Sequence, residues 1–379
     1  MTVKTSKIVS NVGRAGTKST APPNIGALIR RSEAIMLPLA ALLVGLIGFS
    51  IFLLMLGKSP LAFYGYVYQA GFGSVFSWEN TLSRTAPLLL AALCVALPAR
   101  LGLVVIGGEG AIVLGGLTAG VVGALLPGLG LFGMILMGLA GAVAGGLWIG
   151  AVGWLRTKRG VNETIASLLM AYIAIALFNH FVESVFRDPA SLNKPSTAPL
   201  EAAYRLGEIP GFSVHWGLII GIIACVISWI LIDRTTWGFA ARIVGGNVRA
   251  AQIQGLPTGL LIVGFTALAG AFAGIAGMIE VSAVHGSANA ALIAGYGYTG
   301  ILIAFLARHN PLAIIPVAIL LAGFEASSGL VQRRLDLPDA TILVLQGFVF
   351  VAILLSESLV GRIDLFKPET WIRTKEEPS

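Results

Sequence analysis

The feature that most limits what this chain can become is a series of long apolar runs carrying at most one charge each. Ile35–Leu56 holds 22 residues with no Asp, Glu, Lys or Arg. At a helical rise of about 1.5 Å per residue, it crosses a hydrocarbon layer of about 30 Å. Further runs follow at Leu82–Pro98, Gly108–Leu126, Leu131–Leu155, Asn162–Phe181, Val214–Ile232, Gly259–Val281, Leu312–Leu330 and Ala340–Leu355. Ile301–Leu306 adds a short limb that reads as a half-helix. Only 11% of the residues are charged, too few to cover a water-facing surface. The 48 glycines suit helices that approach closely through small residues. The expected fold is therefore an all-α integral membrane protein of about ten transmembrane helices.

Charge placement sets the orientation. With the amino terminus inside, 18 Lys and Arg fall on the inner side and 7 on the outer. The positive-inside rule favours that arrangement and puts both termini in the cytoplasm. Residues 1–34 are polar and basic, read as a disordered tail, and lack the apolar core of a cleaved signal peptide. The membrane domain spans 35–357, followed by a charged tail over 358–379. Residues 60–80, with Tyr64, Tyr66, Tyr68 and Trp78, read as an outer interfacial segment. Residues 184–213 form the long external loop, and 233–258 a cytoplasmic one. Ser282–Gly297 is broken by glycine and polar residues, a backbone tolerated in a membrane only where it lines protein or a wet cavity.

Several chemistries are excluded. The net charge of +7 is spread over the span ends, which argues against nucleic acid as a partner. Cys94 and Cys225 lie in apolar runs, and His180, His215, His285 and His309 lack ligand spacing, so no metal site is expected. Gly57-Lys58-Ser59 resembles the end of a phosphate loop, but Phe52 stands where the first glycine belongs. No other phosphate loop, no zinc-protease motif and no intramembrane Ser/His or paired-Asp arrangement occurs. An ion-coupled secondary transporter would place ionisable groups at mid-membrane. Glu325 alone reads as so placed, with Glu109, Glu163 and Glu280 at span ends. Its small polar neighbours predict a helix–helix hydrogen bond or a wet cavity around it.

The stretch Trp237–Leu256 separates the remaining classes. Arg242, Gly245, Asn247, Ala250, Ala251 and Gly255 follow the pattern R-x-x-G-x-N-x-x-A-A-x-x-x-G. This resembles the coupling loop of ABC importer permeases of the branched-chain amino acid, ribose and nucleoside group. Val248 and Gly246 depart from the residues common there. Gly107, Glu109 and Gly110 match the N-I-G-x-E-G-Q motif of the nucleoside branch, although Val105 and Ala111 replace its Asn and Gln. The run Gly160–Ile173, with Asn162 and Glu163, resembles a second stretch of that branch, which carries Asn where Ala171 sits. On the residues alone, Asn162 reads as the N-cap of its helix. Glu109 reads as a carboxylate beside the positive end of its own helix.

The resemblance implies a type II-like importer permease that moves a nucleoside or simple sugar. Ribose-type sugars or branched-chain amino acids are the alternative cargo. It implies an ABC ATPase subunit docked on the loop, a second permease chain (identical or paralogous), and a periplasmic or lipid-anchored binding protein. ATP and Mg would reside on the ATPase, with no cofactor on this chain, in a bacterial inner membrane. In the loop, Gly245 and Gly255 would supply positive φ, while Ala250 and Ala251 would face the partner. A polar solute needs hydrogen-bonding and aromatic groups on its path, for which Asn179, Asn289, Tyr296 and Gln346 are the candidates. One internal echo, Leu139–Gly145 against Leu268–Gly274, differs at a single position. It reads either as an inverted repeat or as chance recurrence of Gly/Ala tracts.

Overall fold

The computed structural model describes residues 25–359, and among these the secondary structure is helical apart from isolated bridges. Helix α1 (Ile25–Met55) begins ahead of the expected boundary at Ile35. The rest of the two expected tails lies outside the described residues. Gly57, at φ +70°, turns the chain, Ser59 caps the next helix and Pro60 opens it. The resulting α2 (Pro60–Phe72) is bent by 120° from α1. The expected interfacial segment is thus a packed helix and the start of another. Phe63 is fully buried, and Gly71 lies against the backbone of Gly323.

Helix α3 (Val75–Ala99) is the axis of the molecule, buried without interruption from Thr85 to Pro98. Pro87 lacks an N–H, which leaves the carbonyl of Ser83 without its helical donor. Nε2 of His215, just ahead of the long helix that follows it in the chain, reaches that carbonyl at 3.1 Å. Next come α4 (Gly108–Leu125), α5 (Gly130–Arg159) and α6 (Glu163–Glu183), which pack on one another, and α7 (Gly217–Arg234), which packs on α3. Two short helices, α8 (Thr236–Gly246) and α9 (Val248–Ile253), lead into α10 (Thr258–Ile279). Then come α11 (Tyr296–Leu306), α12 (Pro311–Leu335) and α13 (Thr341–Leu359).

Seven described helices are long and apolar enough to cross a membrane, and the bent α1–α2 pair makes an eighth. The expected count of about ten is not confirmed by that measure, since α11 and α13 are shorter apolar helices. The echoed segments meet directly. A methyl placed on Gly141 would lie 2.9 Å from the Gly274 carbonyl, and one on Gly145 2.3 Å from that of Gly270. Contacts that rise in one helix as they fall in the other make α5 and α10 antiparallel. Glycine permits this approach because it leaves no side chain in the seam.

Beyond Ile279 the α-helical pattern loosens into a π turn, Glu280–His285, and Gly286 at φ +69° ends it. The irregular limb that follows is satisfied by the 184–213 loop, as burial of backbone polar groups demands. Thr197 N–H donates to the Ala288 carbonyl at 3.0 Å, and Leu200 N–H to that of Gly286 at 2.8 Å. Helix α11 then starts inside the bundle, and its 11 residues cover only part of a bilayer.

Candidate functional site

The start of α11 is held by Glu109. Gly295 N–H donates to its Oε1 at 2.8 Å and Gly297 N–H to its Oε2 at 2.6 Å. Glu109 is wholly buried, and the helix end it serves is that of α11 as well as its own α4. The two glycines beside it serve α6. A methyl on Gly107 would meet the Ser167 carbonyl at 2.4 Å, and one on Gly110 the Ala171 Cα at 2.8 Å. Thr164 Oγ1 donates to the Val104 carbonyl, and Ile106 N–H to Ser167 Oγ, both at 3.0 Å. The two sequence motifs, more than forty residues apart, are therefore opposite sides of one contact. Asn162 caps α6 by accepting from Thr164 and Ile165 N–H, and Glu163 pairs with Arg156 at 3.4 Å.

Next to the α11 start is a cavity of about 400 Å³, lined by Arg84, Tyr296, Glu325, Ser328 and Asp339 among others. Glu325 Oε1 accepts from Gln346 Nε2 at 3.4 Å, joining α12 to α13, while Thr299 Oγ1 lies 3.2 Å from Gln346 Oε1 and donates to it. Glu325 thus has both the helix–helix hydrogen bond and the cavity its sequence surroundings predict. Arg84 is the cation whose field acts on both Glu325 and Glu280.

Of the four expected pathway residues, Tyr296 lines this cavity, and Gln346 reaches it only through its bond to Glu325, while lining a neighbouring cavity with Tyr298 and Thr299. Asn289 instead caps a short turn by accepting from Ala291 N–H, and Asn179 is half-buried on α6, away from the cavity. Glu280 was expected at a span end. It sits within the span Thr258–His285 with 1% of its surface exposed, because the π turn carries it inward. Arg84, counted with the outer charges, lies inside α3. A signal for both was present, since an ionisable residue within a span points to an internal function.

The other candidate surface is formed by α8 and α9. Asn247 ends α8 and caps α9, its side chain accepting from Ala250 N–H at 3.0 Å. Gly255 has φ +79°, the conformation expected of it. Gly245 has no positive φ. Its glycine is required by approach, since a methyl there would lie 2.4 Å from the Arg100 carbonyl. Arg242 is spent within the loop, on Asp233 at 2.9 Å and the Ile232 carbonyl at 3.0 Å. Ala251 corrects the expectation of an outward contact: it is fully buried in the chain, and Ala250 is half-buried. The outward side chains are Val248, Arg249, Gln252 and Ile253, the last 83% exposed.

From this surface a joint runs inward. Gly245 rests on the α3–α4 connection, and Arg100 Nη2 in that connection donates to the His309 carbonyl at 2.9 Å. Arg308 and His309 form the α11–α12 turn with φ of 49° and 55°, a left-handed region that is uncommon outside glycine. Burial, with Arg100 alongside, lowers the His309 imidazole to about 4.

Comparison with known proteins gives the arrangement its context. Residues 77–354 match the family described as branched-chain amino acid transport system / permease component. A glucose ABC transporter permease protein of Haloferax volcanii is 32% identical, over 88% of this chain and 89% of its own. A guanosine ABC transporter permease protein of Bacillus subtilis is 30% identical over 84% and 94%. A nucleoside ABC transporter permease protein of Lactococcus lactis is 26% identical over 79% and 85%. With helical spans, a polar cavity beside a half-helix and these relatives, the chain belongs to the branched-chain-amino-acid-type permease components of ABC transporters, in their nucleoside and simple-sugar branch.

Proposed function

We propose that this chain is the membrane channel of an ATP-driven importer for a nucleoside or simple sugar. The observation that carries the reading is the cavity at the start of α11. Its phenol, its guanidinium and the Glu325 carboxylate, which Gln346 holds in place, suit a solute rich in hydroxyl and ring-nitrogen groups. A volume of about 400 Å³ falls in the range of small-molecule sites. The relatives named for guanosine, glucose and nucleosides support the same class.

In this reading an ABC ATPase, which holds ATP and Mg, docks on the exposed side of α8 and α9. A second permease chain completes the membrane unit, and a binding protein delivers solute at the opposite face. The chain itself contributes no ATP site. The coupling residues are Gly245 and Asn247 as shapers of the loop, Arg242 as its internal tie, Ala251 as its packing core, and Gly255 as its exit turn. Displacement of α8 would pass through Arg100 to the α11–α12 turn, and so to the half-helix that borders the cavity. The setting is the bacterial inner membrane, with both termini in the cytoplasm.

The test is uptake into liposomes by the chain reconstituted with its ATPase and binding protein. Labelled guanosine or glucose should accumulate only with hydrolysable ATP, and Glu325→Gln should raise KM while leaving that dependence intact. Uptake driven by an imposed pH gradient without ATP would sink the proposal. A second reading has one observation in its favour: Arg84 and Glu325 line one cavity, and a zwitterion offers a carboxylate and an ammonium group to such a pair. Leucine competing with guanosine would support that cargo instead.

A further inference from the structure

A second cavity, of about 700 Å³, lies between α1 and α12 near the face that carries α8 and α9. Its walls are apolar, with Leu39 and Leu42 on α1 and Val317 and Leu320 on α12, and its polar end carries Arg100 and Arg308. α1 packs along α13 and leaves this side of α12 open. Neither arginine has a carboxylate partner among the described residues. One Nη of Arg100 is committed to the His309 carbonyl, and its Nε is buried without a partner. Asp233 and Arg242, the other charges that act on Arg100, pair with each other at 2.9 Å, so no charge among the described residues offsets the two arginines at the mouth of the groove.

The length of the groove selects its occupant. On α12 the lining stops at Leu320, although the helix continues to Leu335. From Pro311 to Leu320 the helix rises roughly 14 Å. That is about half of a hydrocarbon core of about 30 Å, the depth of one leaflet. A transmembrane helix of a partner would need a groove twice as long. An acyl chain beneath a phosphate-bearing headgroup needs this one, with cations at the polar end. We propose that the α1–α12 groove binds one anionic phospholipid from the leaflet on the α8–α9 side. Its phosphate would meet Arg308 and Arg100, and an acyl chain would lie against Leu39, Leu42, Val317 and Leu320. The lipid would then touch the Arg100–His309 joint, and so bear on the link between α8 and α11.

The test is native mass spectrometry of the full chain in mild detergent, titrated with phosphatidylglycerol and with phosphatidylcholine. The wild type should retain one phosphatidylglycerol per chain in preference to phosphatidylcholine. A surface arginine contributes about five-fold in binding, so Arg308→Glu should reduce the preference by at least that factor, and Arg308→Lys should keep it. Val317→Trp, with Tm checked, should displace the lipid by filling the groove. Equal retention of both lipids would mean annular lipid only and overturn the proposal. Unchanged retention in Arg308→Glu would overturn it too, and so would displacement of phosphatidylglycerol by soluble glycerol phosphate at matched concentration.

Discussion

Glu109 has no exposed surface, yet both of its oxygens are engaged by N–H groups at the start of a helix that begins inside the bundle. Two donors of Gly295 and Gly297 would be orphaned without it, and a buried unsatisfied donor costs about 1–3 kcal/mol. Glu109→Ala should therefore lower Tm by several degrees. Glu109→Gln, which keeps one acceptor, should fall between it and wild type; three equal Tm values would remove Glu109 from this role. At the other end of α11, His309 is lowered from an ordinary 6.5 to about 4. The unfolded chain takes up a proton below 6.5 while the folded one resists until about 4. Its share of stability is therefore complete above pH 6.5 and lost as pH falls towards 4. His309→Asn tolerates the left-handed backbone and removes the titration. The difference between the two Tm–pH curves should have its slope in that interval, and a flat difference would count against the buried neutral imidazole.

At the scale of elements, the short α8–α9 pair shows how a loop between spans becomes a shaped surface. Gly238, Gly245 and Ala251 are packed against the rest of the chain, Gly245 on the Arg100 carbonyl, and Ile253 is left exposed at the tip. An apolar side chain at 83% exposure, outside any span, is suited to burial in a soluble partner. Ile253→Glu should leave the Tm of the isolated chain unchanged. Co-purification with the ATPase should fall by about ten-fold or more, as expected for loss of an interface anchor. Full retention of the ATPase would place docking elsewhere.

For the whole molecule, the antiparallel α5–α10 seam and the positions of the long helices put the 184–213 loop and the α8–α9 pair on opposite faces. Cysteines introduced at Ala198 and Gln254, both exposed, should be labelled by an impermeant reagent from opposite sides of a sealed membrane. Labelling of both from one side would break the topology. Much of this level was legible beforehand: the membrane class from long apolar runs with very few charges, the break after α10 from its glycines, and the cap of α6 from Asn162. The motifs around Glu109 and Asn162 were legible as motifs, but their contact with each other was not.

Those features are local, because span length, capping and glycine breaks depend on residues close in the chain. The convergence of Arg84, Tyr296, Glu325 and Gln346 belongs to tertiary structure, as does the inward turn of Ala251 and Glu280. In a soluble helix the apolar stripe reveals which face is buried. In lipid both the buried and the exposed faces are apolar, so that signal vanishes, and close packing of small residues decides which side chains point inward.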